Sequence, residues 1–248
     1  MTVAARRLAD AKLRVERAYE GVANVFQNMA RKAAADFKPA QSSAFRVSIV
    51  GPGRLRAKCL TKIERLPYRR AADGGAVAKQ RLTVVLEADE EFAVDCGTAE
   101  GTLCLNRSTV QIAYYRPGPG TLTTLLCVRY DFHGAGDSHP IFHAQIDKEA
   151  IDATKLHLLG LHTGPSPMAG DIPHRVRIPT ANVIGPTALV QLAADHLPQD
   201  SFRTVLNKVR GDVLFTRWLC DRSSLDRPSE LRKLISSTWY GLPALAAH

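Results

Sequence analysis

The residues best equipped for chemistry lie in one stretch, VRYDFHGAGDSHPIFHAQID, residues 128–147. Two alternating runs flank a Gly- and Pro-containing loop. In the first run Val128, Tyr130 and Phe132 form an apolar face, with Arg129, Asp131 and His133 opposite. In the second, Phe142, Ala144 and Ile146 continue the apolar face, and His143 and Gln145 lie on the other side. A symmetric hairpin with residue 133 opposite 141 pairs Asp131 with His143 and Arg129 with Gln145. Directly opposed side chains approach within roughly 5 Å at Cβ. A slip of one residue would turn them all to the wrong face.

A carboxylate beside an imidazole fixes its tautomer and raises its basicity, which makes a general base near neutral pH. Arg129 offers the forked donors that grip a phosphate and stabilise developing charge. His133 or His139, at the loop edge, would serve as the acid. This is the equipment of a metal-free phosphodiester cleavage, above all of RNA, whose 2′-OH supplies the nucleophile. Arg175 and Arg177 alternate on a later extended run and would add phosphate contacts. Two other readings use the same residues. His139 and His143 with Asp131 or His133 would make a three-ligand metal site with one open position. However, His-Pro-x-x-His on a strand does not bring the rings together as helical spacing would, so no metal or other cofactor is expected. Alternatively, the cluster is a satisfied hydrogen-bond network beneath C-terminal helices.

A second feature is basic. Residues 1–81 hold 18 Lys and Arg against 6 Asp and Glu, whereas residues 82–248 hold 15 against 18, giving +9 overall. Residues 44–50 and 54–64 alternate around the turn Gly51-Pro52-Gly53. Phe45, Val47 and Ile49, then Leu55, Ala57, Cys59, Thr61 and Ile63, make the apolar underside. Arg54, Arg56, Lys58 and Lys62, joined by Arg46, make a basic top suited to a nucleic-acid backbone. The competing reading is a solvated face that only keeps the protein soluble. The Gly51–Gly53 turn lacks the P-loop lysine and the third glycine of a dinucleotide fingerprint. The basic hairpin and the His/Asp cluster stand as separate expectations, in different parts of the chain.

These residues must be positioned by a larger frame. Residues 3–37 predict one long helix, with Leu8, Val15, Val22 and Met29 every seven residues and Tyr19, Phe26 and Ala33 between them. Pro39 ends it. The stripe packs on a core or docks a protein partner. Strands are predicted at 82–88, 102–115, 121–133 and 141–147. Residues 148–173 are expected to be irregular and His174 to Pro179 extended. Helices follow near 186–196, 200–219 and 228–238. Short connections imply a mainly antiparallel meander. The fold class is α+β: a long N-terminal helix, an antiparallel meander sheet and C-terminal helices. Residues 1–147 form the helix and sheet. Residues 148–248 form an irregular connection and a helical part packed on it, in one compact unit.

The 248 residues, 45% hydrophobic and 23% charged, exclude disorder, collagen and a disulfide mini-protein. Five cysteines without CxxC pairs fit neither a disulfide framework nor a zinc ribbon. Cys59, Cys104 and Cys127 fall in strand-like runs and are expected to behave as small buried apolar residues. No apolar run reaches membrane-spanning length, and MTVAARRLADAK has no apolar signal core. A cytoplasmic protein with no membrane contact is expected.

The order Arg129-Tyr130-Asp131, then His139-Pro140-Ile141-Phe142-His143, then Arg177-Ile178-Pro179 before a helix resembles uncharacterised prokaryotic families near mobile elements and defence or toxin–antitoxin loci. The resemblance covers residues 128–196 and implies an antiviral-defence or toxin-like context. Taken together, the sequence predicts a nucleic-acid-binding protein, for RNA rather than DNA, and a metal-independent ribonuclease. The alternative is a non-catalytic subunit of a multi-protein defence complex, docked through helix 3–37.

Overall fold

The computed structural model describes residues 2–34, 36–38, 45–67, 81–95, 102–119, 121–133, 142–146, 151–164, 177–179 and 183–221. The chain opens with α1 (Val3–Ala33), capped by the Thr2 hydroxyl, which accepts from the Ala5 N–H. The predicted stripe is buried at Leu8, Val15, Tyr19, Val22 and Phe26, widened by Ala11, Ala18, Ala23 and Ala30. Lys12, the one break in the stripe, pairs with Glu16 a turn later. The helix stops before the expected residue 37. Ala34 turns to extended backbone, and Phe37 then enters the core.

A meander follows: β1 (Phe45–Gly51), β2 (Arg54–Pro67), β3 (Arg81–Asp95), β4 (Thr102–Pro117), β5 (Leu122–His133), β6 (Phe142–Ile146) and β7 (Arg177–Pro179). They pair antiparallel in sequence order. Gly53 adopts φ 62° in the β1–β2 turn, a conformation glycine takes without penalty. A bulge between Ile63 and Leu66 holds Arg65 at φ 61° and lengthens β2 past the predicted residue 64. β8 (Leu219–Asp221) breaks the pattern, lying parallel beside Leu103–Leu105 of β4.

Three predicted spans differ in substance. β3 runs seven residues past the expected 88, because Glu87, Asp89 and Glu91 occupy one face while Ala88, Phe92 and Val94 remain buried on the other. The stretch expected to be irregular contains α2 (Ala153–Leu158), capped by Asp152. The predicted helix 200–219 is instead α4 (Gln199–Gly211), a π turn Leu214–Trp218 and then β8. Asp212 breaks it: its backbone is extended and its carboxylate accepts from the Leu214 N–H. α3 (Gly185–His196) starts with Pro186 in its first turn, as expected. The predicted helix 228–238 lies outside the described residues.

The sheet has two unlike faces. Its inner face packs against α1 and α3, with α4 lying on those two helices, in one core running from Leu8 to Leu214. The helical stripe predicted for a partner or a core is therefore buried within the chain. Tyr130 donates to Gln191 of α3 at 2.9 Å, and Ser108 donates to the Val183 carbonyl at 3.2 Å. Among the described residues the outer face is covered at one end, where Ile151, Leu156 and Leu161 around α2 pack on Val85, Ala113, Tyr115 and Cys127. Cys59 and Cys127 are buried as expected and Cys104 is half-buried. Among the described residues no helix is long and apolar enough to cross a membrane.

Candidate nucleic-acid interface

The β5–β6 register matches the sequence expectation. Asp131 lies opposite His143, and Arg129 opposite Gln145. Alternation places these positions on the outer face, because Tyr130, Phe132 and Ala144 belong to the inner core. They do not lie beneath α3 and α4.

The same alternation carries the face across the whole sheet. Lys58, Asp89, Thr109, Asp131, His143 and Pro179 follow one another across six strands. Arg46 extends that row to β1 through its pairing with Lys58. A parallel row runs Leu60, Glu87, Gln111, Arg129, Gln145 and Arg177. The basic hairpin and the His/Asp cluster, separate in the sequence, thus share one surface. Three strand spacings, about 14 Å, separate Lys58 from Asp131.

The Asp131 carboxylate is buried and held from two sides. Thr109 donates to one oxygen at 3.1 Å and the Arg129 Nε to the other at 2.8 Å. The Arg129 fork also donates to Gln145 at 3.1 Å. Next to them Gln111 donates to the Cys127 sulfur at 2.9 Å. Arg129 thus engages its Nε with Asp131 and a terminal nitrogen with Gln145. The side chains of His133, His143 and Arg177 lie outside the described residues, as do His139 and Arg175 altogether. Among the described residues no three His, Cys, Asp or Glu side chains converge.

The basic top is partly compensated by β3. Arg56 makes a two-pronged pair with Asp89, with its Nε at 2.7 Å. Burial works to raise the Asp89 pKa. The hydrogen bond and charge of Arg56, with the charges of Lys58 and Arg107, outweigh it and hold the carboxyl below its ordinary value. Arg54 pairs with Glu91 at 3.5 Å and Lys62 with Glu64 at 3.1 Å. Lys155 of α2 takes Glu87 at 2.5 Å. Asp89 and Glu91 escape the sequence reading because β3 is expected to end at 88, before either of them. Arg46 and Arg107 are exposed, and the Arg54 and Lys58 side chains are 62% and 58% exposed. The β1–β4 end of the face keeps a positive excess.

A carboxylate missed in the sequence sits on the inner side. Glu90 is fully buried in the register of Ala88 and Phe92. Tyr19 of α1 donates to it at 2.7 Å and the Gly185 N–H, at the start of α3, at 2.5 Å. Burial pushes its pKa up to about 7, against the lowering effect of both hydrogen bonds. The charged residue at an apolar strand position was the available signal. No family model matches the chain, and neither a curated protein nor a solved structure does.

Proposed function

We propose that this chain is an intracellular nucleic-acid-binding protein that lays an RNA backbone across the outer face of its sheet and cleaves it without a metal. Arg46, Arg54, Arg56, Lys58 and Lys62 hold phosphates. Asp131 orients His143 as the general base, with Arg129 setting Asp131 in place, and His133 or His139 serves as the acid. Arg175 and Arg177 add phosphate contacts. The observation that carries this reading is the register that puts the basic hairpin and the Asp131–His143 pair on one surface. The motifs in 128–196 support a bacterial defence or toxin–antitoxin setting.

Fluorescence anisotropy with labelled RNA and DNA tests binding. RNA is expected to bind more tightly, and affinity to fall steeply with salt as counterions are released. Arg46→Glu with Lys58→Glu weakens binding, and His143→Ala abolishes cleavage while binding persists. Salt-independent binding, or none, refutes the interface. Equal cleavage by His143→Ala refutes the catalytic assignment.

One observation favours a second reading. Thr109, Asp131, Arg129 and Gln145 form a linked hydrogen-bond network, as in a structural cluster. In that case the chain is a non-catalytic subunit of a defence complex, and His143→Ala lowers the melting temperature without changing any activity.

A further inference from the structure

The sheet ends in two edges of opposite character. β7 is three residues long and carries Arg177 and Pro179, the short, charged and proline-bearing form that discourages strand addition. β1 has seven residues, FRVSIVG, with one charge and no proline, and among the described residues it pairs with β2 alone. Alternate residues of an edge strand turn their N–H and C=O groups outward, a template for another strand. Ile49 and Val50 are 47% and 48% exposed at this edge, where the β1–β2 register shifts between Ile49 and Gly51. An open backbone edge and exposed apolar side chains therefore coincide.

The sequence of β1 is suited to pair with itself. In an antiparallel pairing centred on Ser48, Val47 meets Ile49 of the second copy twice on the inner side, and Arg46 lies level with Val50 of the second copy. The two Arg46 side chains are never opposed. Self-complementarity of this kind is what a two-fold interface requires. We propose that β1 is a dimer interface, where two copies of this chain pair β1 to β1 about Ser48 and join their sheets into one. The inference is independent of nucleic-acid binding, although it would set two basic hairpins side by side.

Multi-angle light scattering of the full chain, in high salt so that no polyanion bridges two molecules, is expected to give the dimer mass. Ile49→Lys with Val50→Lys is expected to give a monomer with unchanged far-UV circular dichroism, since both side chains are exposed. Ser48→Cys is expected to form an intermolecular disulfide on mild oxidation, absent from the wild type, because directly opposed Cα atoms stand about 5 Å apart, within disulfide reach. A wild-type monomer overturns the proposal and leaves the edge for a strand of another protein. A dimer that survives the lysine substitutions, or a folded Ser48→Cys dimer that does not cross-link, places the interface elsewhere. If the lysine variant does not fold, the cross-link decides.

Discussion

Glu90→Gln keeps the shape of the buried side chain and removes its charge. The glutamine oxygen still accepts the Gly185 N–H, and its amide faces the Tyr19 oxygen. In the folded chain Glu90 holds its proton up to about pH 7, against an ordinary value of 4.5, because burial outweighs its two donors. The folded state thus binds more protons than the unfolded state between these values. Stability is then fully present below pH 4.5, falls as pH rises toward 7, and levels off above it. The gap corresponds to a loss of roughly 3 kcal/mol across the window. Urea unfolding followed by circular dichroism from about pH 5 to about pH 8 measures it. The wild type is expected to lose stability with rising pH, and Glu90→Gln to lose far less. Subtracting the two curves cancels groups common to both. Equal slopes in the two proteins would refute the assignment.

Three further outcomes follow from the same packing. Gly185→Ala would drive a Cβ into the Phe45 ring, which is wedged edge-on against Tyr19; a loss of about 1–3 kcal/mol in unfolding free energy is expected. Tyr19→Phe removes a donor from a buried carboxylate, so a loss of about 1–3 kcal/mol is expected, with the upper end of the pH-dependent window raised and its lower end unchanged. Arg54→Ala breaks only an exposed 3.5 Å pair with Glu91; melting should change by less than about 0.5 kcal/mol while RNA affinity falls, which separates binding from folding.

The meander and the Asp131–His143 register were legible because strict alternation between short breaks leaves few pairings open. β3 was legible only up to Ala88, since the acidic run Asp89, Glu90 and Glu91 that follows looks like a loop. Their alternation between an ion-paired outer face and one buried inner carboxylate emerges only when β2 and α1 are in place. α2 escaped notice because a six-residue helix shows too little periodicity, and it is held by Tyr115 and Cys127, which lie in other strands. β8 has no local signature, since its partner is the distant start of β4. The shared surface of hairpin and cluster was invisible for the same reason: it depends on β3 and β4 lying between them.

The pairing of Leu103 with Leu219 has a consequence during synthesis. β1 to β5 can zip onto one another as each leaves the ribosome, because neighbours in sequence are neighbours in the sheet. α1 precedes the sheet, yet α3 and α4, which cover part of it, come after residue 184. The part of its apolar stripe that β1 and β2 do not cover therefore waits for them, and the start of β4 gains its second neighbour only when β8 arrives. Such late, long-range closure slows folding and leaves the nascent chain dependent on protection from aggregation.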